Sequence, residues 1–183
     1  MATAIFANGC FWCTEAVFQR LKGVTRVRSG FTGGSVKHPA YREVIMGDTG
    51  HAEAVQVDFD ENLIDYKTLL YVFFATHDPT TLNRQGYDVG TQYRSVIFYA
   101  NASQKLIAEQ VVNELNETTF DHNIVTTIEQ ATEFYEAEDE HQNFYNLNTG
   151  YRYCKLVIDP KIEALKQKFD SFLKPNYKSN SQV

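Results

Sequence analysis

Apolar and polar positions change period several times along the chain, and each change predicts an element. Residues 3–7 read as a short strand, and residues 15–21 space apolar side chains three to four apart, as a helix does. Alternation over 24–31 predicts a half-buried strand, broken by Gly33-Gly34. Residues 35–48 read as loop, with Pro39 and Gly47, and residues 51–59 alternate again. In that strand Ala52, Ala54 and Gln56 share one face, while Glu53 shares the other with Val55, Val57 and Phe59. A helix follows over 65–76, with Asp65 as its cap and Tyr66, Leu69, Leu70 and Phe73 on one face. Residues 77–93 have loop chemistry. A loop that long, rich in Asp, Asn, Arg, Gln and Tyr, points to function. A strand is predicted over 94–99, an amphipathic helix over 102–115 and a β-branched strand over 124–128. Residues 134–148 are dense in aromatics and acids, and Asn148-Thr149-Gly150 signals a turn. Pro160 opens a last amphipathic helix to 173, and 174–183 reads as a frayed polar tail.

Helices between strands predict an α+β chain with helices packed on a mixed sheet. The length, 183 residues, fits one domain spanning 1–183. At 43% hydrophobic and 14% aromatic residues the chain has ample material for a core. Its 17 basic and 23 acidic residues give a net charge of -6 with no basic cluster, which argues against a nucleic-acid partner. No apolar run reaches the roughly 18 residues of a membrane helix. Met1-Ala2-Thr3 has no features of a signal peptide, so a cytoplasmic location is the expectation. Three cysteines make a poor disulfide scaffold for this length, so catalytic or buried thiols are expected.

Candidate chemistry centres on Gly9-Cys10-Phe11-Trp12-Cys13-Thr14-Glu15, where a predicted strand gives way to a predicted helix. Free N–H groups and the positive end of the helix dipole favour a thiolate at Cys10. The alternative reading is a buried structural cysteine among core aromatics. Cys10 and Cys13 also have the spacing of a redox dithiol or of half a zinc site. Glu53 lies on an apolar face. Buried and unpaired it would hold a proton near neutral pH; at a strand end it would reach water instead.

Taken together and in order, several motifs resemble the peptide methionine sulfoxide reductase A family. They are Gly9-Cys10-Phe11-Trp12, Gly30-Phe31-Thr32-Gly33-Gly34, Tyr41 with Glu43-Val44, Gly50-His51-Ala52-Glu53, His77-Asp78-Pro79-Thr80, Asn83-Arg84-Gln85-Gly86, residues 88–95, and Glu138 through His141-Gln142. The resemblance covers about residues 4 to 155. It implies a ferredoxin-like two-layer core with a long irregular C-terminal segment ending in a helix. It implies reduction of the S epimer of methionine sulfoxide, free or within oxidised proteins, with no cofactor and no metal. In that reading Cys10 attacks the sulfoxide sulfur, Glu53 supplies the proton, and Tyr41 and Tyr93 donate hydrogen bonds to the same oxygen. Asp88 organises substrate and water, and Phe11 and Trp12 hold the ε-methyl group. Cys10 becomes a sulfenic acid, a second thiol closes a disulfide, and thioredoxin or another dithiol donor resets it. His51 and His77 are read as structural, and nothing demands more than a monomer.

At Cys13, where glycine is common in the family, the chain resembles a subgroup with Cys-Phe-Trp-Cys at the active site, and it departs from the family at Phe31 and Ile45, where tyrosine and cysteine are common. In place of a Gly-rich tail with a further cysteine it runs into the Pro160 helix. Cys154, beside a turn in a flexible-looking segment, is therefore favoured as resolving thiol, with Cys13 as the alternative and a relay through both also open. Two rival readings stand beside this one. A thioredoxin-like dithiol would need a proline leading into a strand, and Pro79 leads into none. A zinc module on Cys10, Cys13, Cys154 and His141 lacks the usual ligand spacing in its tail pair.

Overall fold

A computed structural model describes residues 1–178. In chain order the regular elements are β1 (Ala2–Asn8), α1 (Phe11–Phe18), β2 (Val24–Thr32), α2 (Tyr41–Ile45), β3 (Ala52–Phe59) and α3 (Tyr66–Ala75). Then come β4 (Arg84–Gln85), β5 (Asp88–Val89), β6 (Ser95–Tyr99), α4 (Ala102–Thr118), β7 (Thr127–Gln130), β8 (Tyr135–Glu136), α5 (Phe144–Leu147) and α6 (Asp159–Phe169). Six strands form one mixed sheet in the order β7-β6-β1-β3-β2-β8. Only β6 and β7 run parallel; the other neighbours are antiparallel.

Strand alternation divides the core. On β1, Ala4 and Phe6 join the large cluster under the helices, while Ile5 and Ala7 face the other side with Ala52, Ala54, Val96 and Phe98. On β3, Val55, Val57 and Phe59 point to the helix side, which also buries Glu53 on that face. α3 forms as predicted. The Asp65 carboxylate accepts the Thr68 N–H at 2.7 Å, and Leu69, Leu70 and Phe73 are fully buried. Each such side chain contributes about 1.5–3 kcal/mol by leaving water.

Helix α1 is buried on nearly every face, from Phe11 through Phe18. An all-round buried helix needs cover on both sides. The sheet covers one side and the irregular segment after β8 wraps the other. Glu15 accepts the Phe144 N–H at 3.2 Å, and Arg20 donates to Asn146 at 2.8 Å while lying over the rings of Tyr145 and Tyr177. Gly30, on β2, is where β8 comes closest: a Cβ there would lie 2.4 Å from the Tyr135 carbonyl.

Three local expectations change. Residues 41–45, inside a predicted loop, form α2, whose start is held by Glu43 accepting the Ala40 N–H at 2.9 Å. The predicted loop 77–93 contains the β4–β5 hairpin and a 3-10 turn at Thr91–Tyr93. The tail expected to fray from 174 is tied down as far as Tyr177, because the Lys174 ammonium donates to the Gln19 carbonyl at 2.8 Å and Tyr177 packs under Arg20. Residues 179–183 of that tail lie outside the described residues. No helix among the described residues is long and apolar enough to cross a membrane.

Candidate active site

Cys10 sits where β1 ends and α1 begins, as the alternation predicts. Gly9 makes the turn with φ 109°, a conformation that favours glycine, and a Cβ there would meet Gln85 at 2.9 Å. The Cys10 carbonyl accepts the Cys13 N–H at 3.1 Å, which starts the helix. The thiol is buried, with 8% of its residue surface exposed. Burial, hydrogen bonding to Cys13 and the nearby Glu53 carboxylate push it well up, although the Trp12 N–H pulls the other way. The lowered thiol expected from the helix start is therefore corrected: desolvation outweighs the exposed N–H groups. The Cys13 thiol moves down, chiefly through its hydrogen bond from Cys10. As a pair the two sulfurs hold a thiolate more readily at Cys13.

Glu53 is 1% exposed. Its Oε1 accepts the Phe11 N–H at 3.1 Å, and its Oε2 is buried with no partner among the described residues. Burial raises it to about 8, against the Phe11 hydrogen bond, and Asp88 adds to the rise. Of the two sequence readings, the buried proton-bearing carboxyl is the one realised. Tyr41 and Tyr93 flank it, half-buried, and both phenols are raised by burial and by Glu53, so they keep their protons. Neither hydroxyl makes a hydrogen bond within the described residues, which leaves both free to donate.

The two aromatics after Cys10 part company. Phe11 has no exposed surface; it packs against Phe31, Tyr41 and His141, behind the site. Trp12 is half-buried, stacked on Phe144 with centroids 3.8 Å apart, and its Nε1 donates to His141 Nδ1 at 3.2 Å. Asp88, at the end of the β4–β5 hairpin, accepts the Tyr153 hydroxyl at 2.8 Å, and that hydroxyl also lies 3.5 Å from Cys13 Sγ.

Cys154 is not in a flexible segment. It is fully buried and opens a π-helical turn, Cys154–Ile158, that leads into α6. Its charge neighbours include Cys13. A cavity of about 570 Å³ reaches both Cys10 and Cys13 between the β4–β5 hairpin and α6. His51 and His77 are structural: His51 bridges Gly34 and Val36, and His77, pushed down to about 3 by burial, bridges Phe73 and Ser95.

Sequence reasoning missed Tyr153, His141 as partner of Trp12, and Lys161, which lines the Cys10 cavity. Local pattern carries no signal for them, since each reaches the site across more than 60 residues of chain. Glu138, Glu140 and His141 bring their ligand atoms within 4.8 Å of one another. His141 Nδ1 accepts from Trp12, so the neutral ring carries its proton on Nε2 and presents a donor toward Glu140, 3.7 Å away, rather than a metal ligand.

The chain is similar to proteins of known sequence and structure. The family model described as peptide methionine sulfoxide reductase matches residues 2–173. "Peptide methionine sulfoxide reductase MsrA" of Chromobacterium violaceum is 53% identical over 174 residues, 94% of this chain and 99% of the relative. The crystal structure of reduced Mxr1 from Saccharomyces cerevisiae superposes with a TM-score of 0.77 at 32% identity, over 84% of this chain and 88% of the other. Mxr1 solved in complex with Trx2 shares the fold at a TM-score of 0.54 and 23% identity, over 78% of this chain and 84% of the other.

Proposed function

The chain belongs to the peptide methionine sulfoxide reductase family and is an oxidoreductase, and from that premise we propose that it reduces the S epimer of methionine sulfoxide, free or within oxidised proteins. One observation carries the assignment of roles. A carboxyl that is proton-bearing at neutral pH and two protonated phenols gather at the buried Cys10 thiol. A sulfoxide needs this set: its sulfur accepts a nucleophile once its oxygen is protonated. Cys10 passes its proton to its hydrogen-bonded partner Cys13 and attacks sulfur, Glu53 delivers a proton to the oxygen, and Tyr41 and Tyr93 donate to it. Methionine leaves, and Cys10 keeps the oxygen as a sulfenic acid. Trp12 supplies the apolar wall for the methyl group, Phe11 supports Tyr41 from behind, and Asp88 orients the substrate once Tyr153 yields its hydrogen bond.

Cys13 then takes the sulfenic acid, releasing water and closing the Cys10–Cys13 disulfide. Its hydrogen bond with Cys10 supports this order; residues three apart on a helix hold their Cβ atoms about 5–6 Å apart, so the start of α1 must tighten to the roughly 3.5–4.5 Å of a disulfide. Cys154 exchanges with Cys13 in a second step, for which its π-helical turn must open, and thioredoxin reduces the resulting bond. The Mxr1–Trx2 complex supports thioredoxin as the kind of reductant. We also read the βαββαβ run of β1-α1-β2-β3-α3-β6, with its antiparallel order β6-β1-β3-β2, as ferredoxin-like. One catalytic domain acting as a monomer remains our proposal, and three free thiols suit a reducing compartment such as the cytoplasm.

The test is turnover on separated sulfoxide epimers. The S epimer is expected to be consumed with up to two equivalents of methionine formed per enzyme in the absence of thiol, the second because transfer of the disulfide to Cys154 frees Cys10 again. Reduction of neither epimer sinks the reading.

A further inference from the structure

The cavity beside Tyr153 is a second approach to the thiols. Its wall holds both Cys10 and Cys13, but Glu53, Tyr41, Tyr93 and Trp12 take no part in it. Through Asp88, which lines it, the cavity adjoins the site built around Glu53, Tyr41 and Tyr93. With Cys10 8% and Cys13 5% exposed, a bond between them lies below the surface. A thiol carried on a folded protein reaches it only after a segment moves. A small molecule inside about 570 Å³ of space reaches it directly.

Charge defines what that molecule is. Lys161, from the first turn of α6, lines the cavity; its ammonium donates to the Thr76 carbonyl at 2.7 Å and has no ion-pair partner among the described residues. Arg152 stands at the exposed rim, also without an ion pair there. The one carboxylate in the wall, Asp88, is engaged by the Tyr153 hydroxyl at 2.8 Å. Lys161 thus stands near the two thiols, and Arg152 stands at the rim of the same cavity.

We propose that this cavity is a reductant port: it admits a small thiol bearing a carboxylate, seats that carboxylate on Lys161 and Arg152, and aims the sulfur at the Cys10–Cys13 disulfide. The inference rests on Cys13 as the resolving thiol. The incoming thiolate attacks Cys10 Sγ, the protein S–S bond breaks, and its electron pair leaves with Cys13 as thiolate. A second small thiol attacks the mixed disulfide and frees Cys10. Two small thiols are oxidised to one disulfide, and the protein pair gains two electrons and two protons. Lys161 lies near both sulfurs and stabilises each thiolate as it forms. Thioredoxin, by contrast, acts on the bond passed to Cys154, once the π-helical turn there has opened.

The experiment uses Cys154→Ser, oxidised by one equivalent of methionine sulfoxide without thiol, with the disulfide located by peptide mapping. Its reduction is then timed with 3-mercaptopropionate, 2-mercaptoethanol and cysteamine, which are anionic, neutral and cationic, each rate expressed per thiolate. The anion is expected to saturate and to react roughly three- to tenfold faster than the neutral thiol, as a partly buried ion pair allows, with the cation slowest. Lys161→Met brings the three rates together and Lys161→Arg restores the order. The ratio is taken within each variant, so a general loss of folded protein cancels. Equal rates in the unsubstituted port, or a Lys161→Met loss shared equally by all three thiols, overturn the port. If mapping finds no Cys10–Cys13 bond, the resolving assignment falls and takes the port with it, an outcome separate from failure of the charge order.

Discussion

Glu53→Gln separates the proton of Glu53 from its shape. The amide oxygen still accepts the Phe11 N–H that Oε1 accepts at 3.1 Å, but the proton for the sulfoxide is gone. General acid catalysis contributes about 10²–10⁴-fold, and that is the expected loss in kcat/KM. Wild-type activity is expected to fall above about pH 8, where Glu53 ionises. Stability supplies an independent readout. Between the ordinary glutamate value of 4.5 and about 8, native Glu53 keeps its proton while the unfolded chain has lost it. The unfolded state then binds fewer protons, so this contribution is full below 4.5 and declines as pH rises to about 8. The slope is about 1.4 kcal/mol per pH unit, which is on the order of 2–3 kcal/mol between about pH 5 and 7. Glutamine has no such slope. Glu15, raised to about 7 by burial, adds its own slope to both proteins and cancels in the difference. Urea unfolding of both proteins across this range should show the variant gaining on wild type by that amount. Parallel stability curves would mean that Glu53 is already ionised at neutral pH, and the acid assignment would fail.

Other substitutions probe other links. Cys13→Ser should keep the first turnover and leave a Cys10 sulfenic acid that a dimedone-type probe traps, whereas Cys154→Ser should close Cys10–Cys13 and lose only thioredoxin-driven cycling; trapping in Cys154→Ser alone would reverse the order. Arg20→Met removes donations to Ala16 and Asn146 and two ring contacts from a 6% exposed site, so denaturant unfolding should show a loss of about 2–4 kcal/mol. An unchanged midpoint would show that the segment after β8 does not hold α1. His141→Phe keeps a ring beside Tyr41 but orphans Trp12 Nε1, costing about 1–2 kcal/mol, and should raise KM more than it lowers kcat as the indole loosens. A variant with wild-type KM would show that the indole needs no such anchor.

The two-residue period of β3 placed Glu53 on the apolar face because side-chain alternation is a property of the strand itself. The capped α3 was legible for the same local reason, and so was the position of Cys10 between β1 and α1. Where long-range contacts decided, local pattern was silent. α2 lies in what reads as loop, and its first N–H, that of Tyr41, is held by Glu138 across 97 positions of sequence. The thiol of Cys10 rises rather than falls because the segment after β8 closes over α1 and removes water, which no window around Cys10 records. Phe11 and Trp12 are neighbours in sequence, yet one is fully buried and the other half-buried, since a helix turns successive side chains about 100° apart. Cys154 looked mobile by composition and is locked by packing against residues contributed by distant elements. The sequence alone determined which chemical groups are present and which face of each element they take, because those follow from backbone geometry over a few residues. Tertiary structure decided their protonation and their partners, because desolvation and hydrogen bonding depend on what the rest of the chain packs around them.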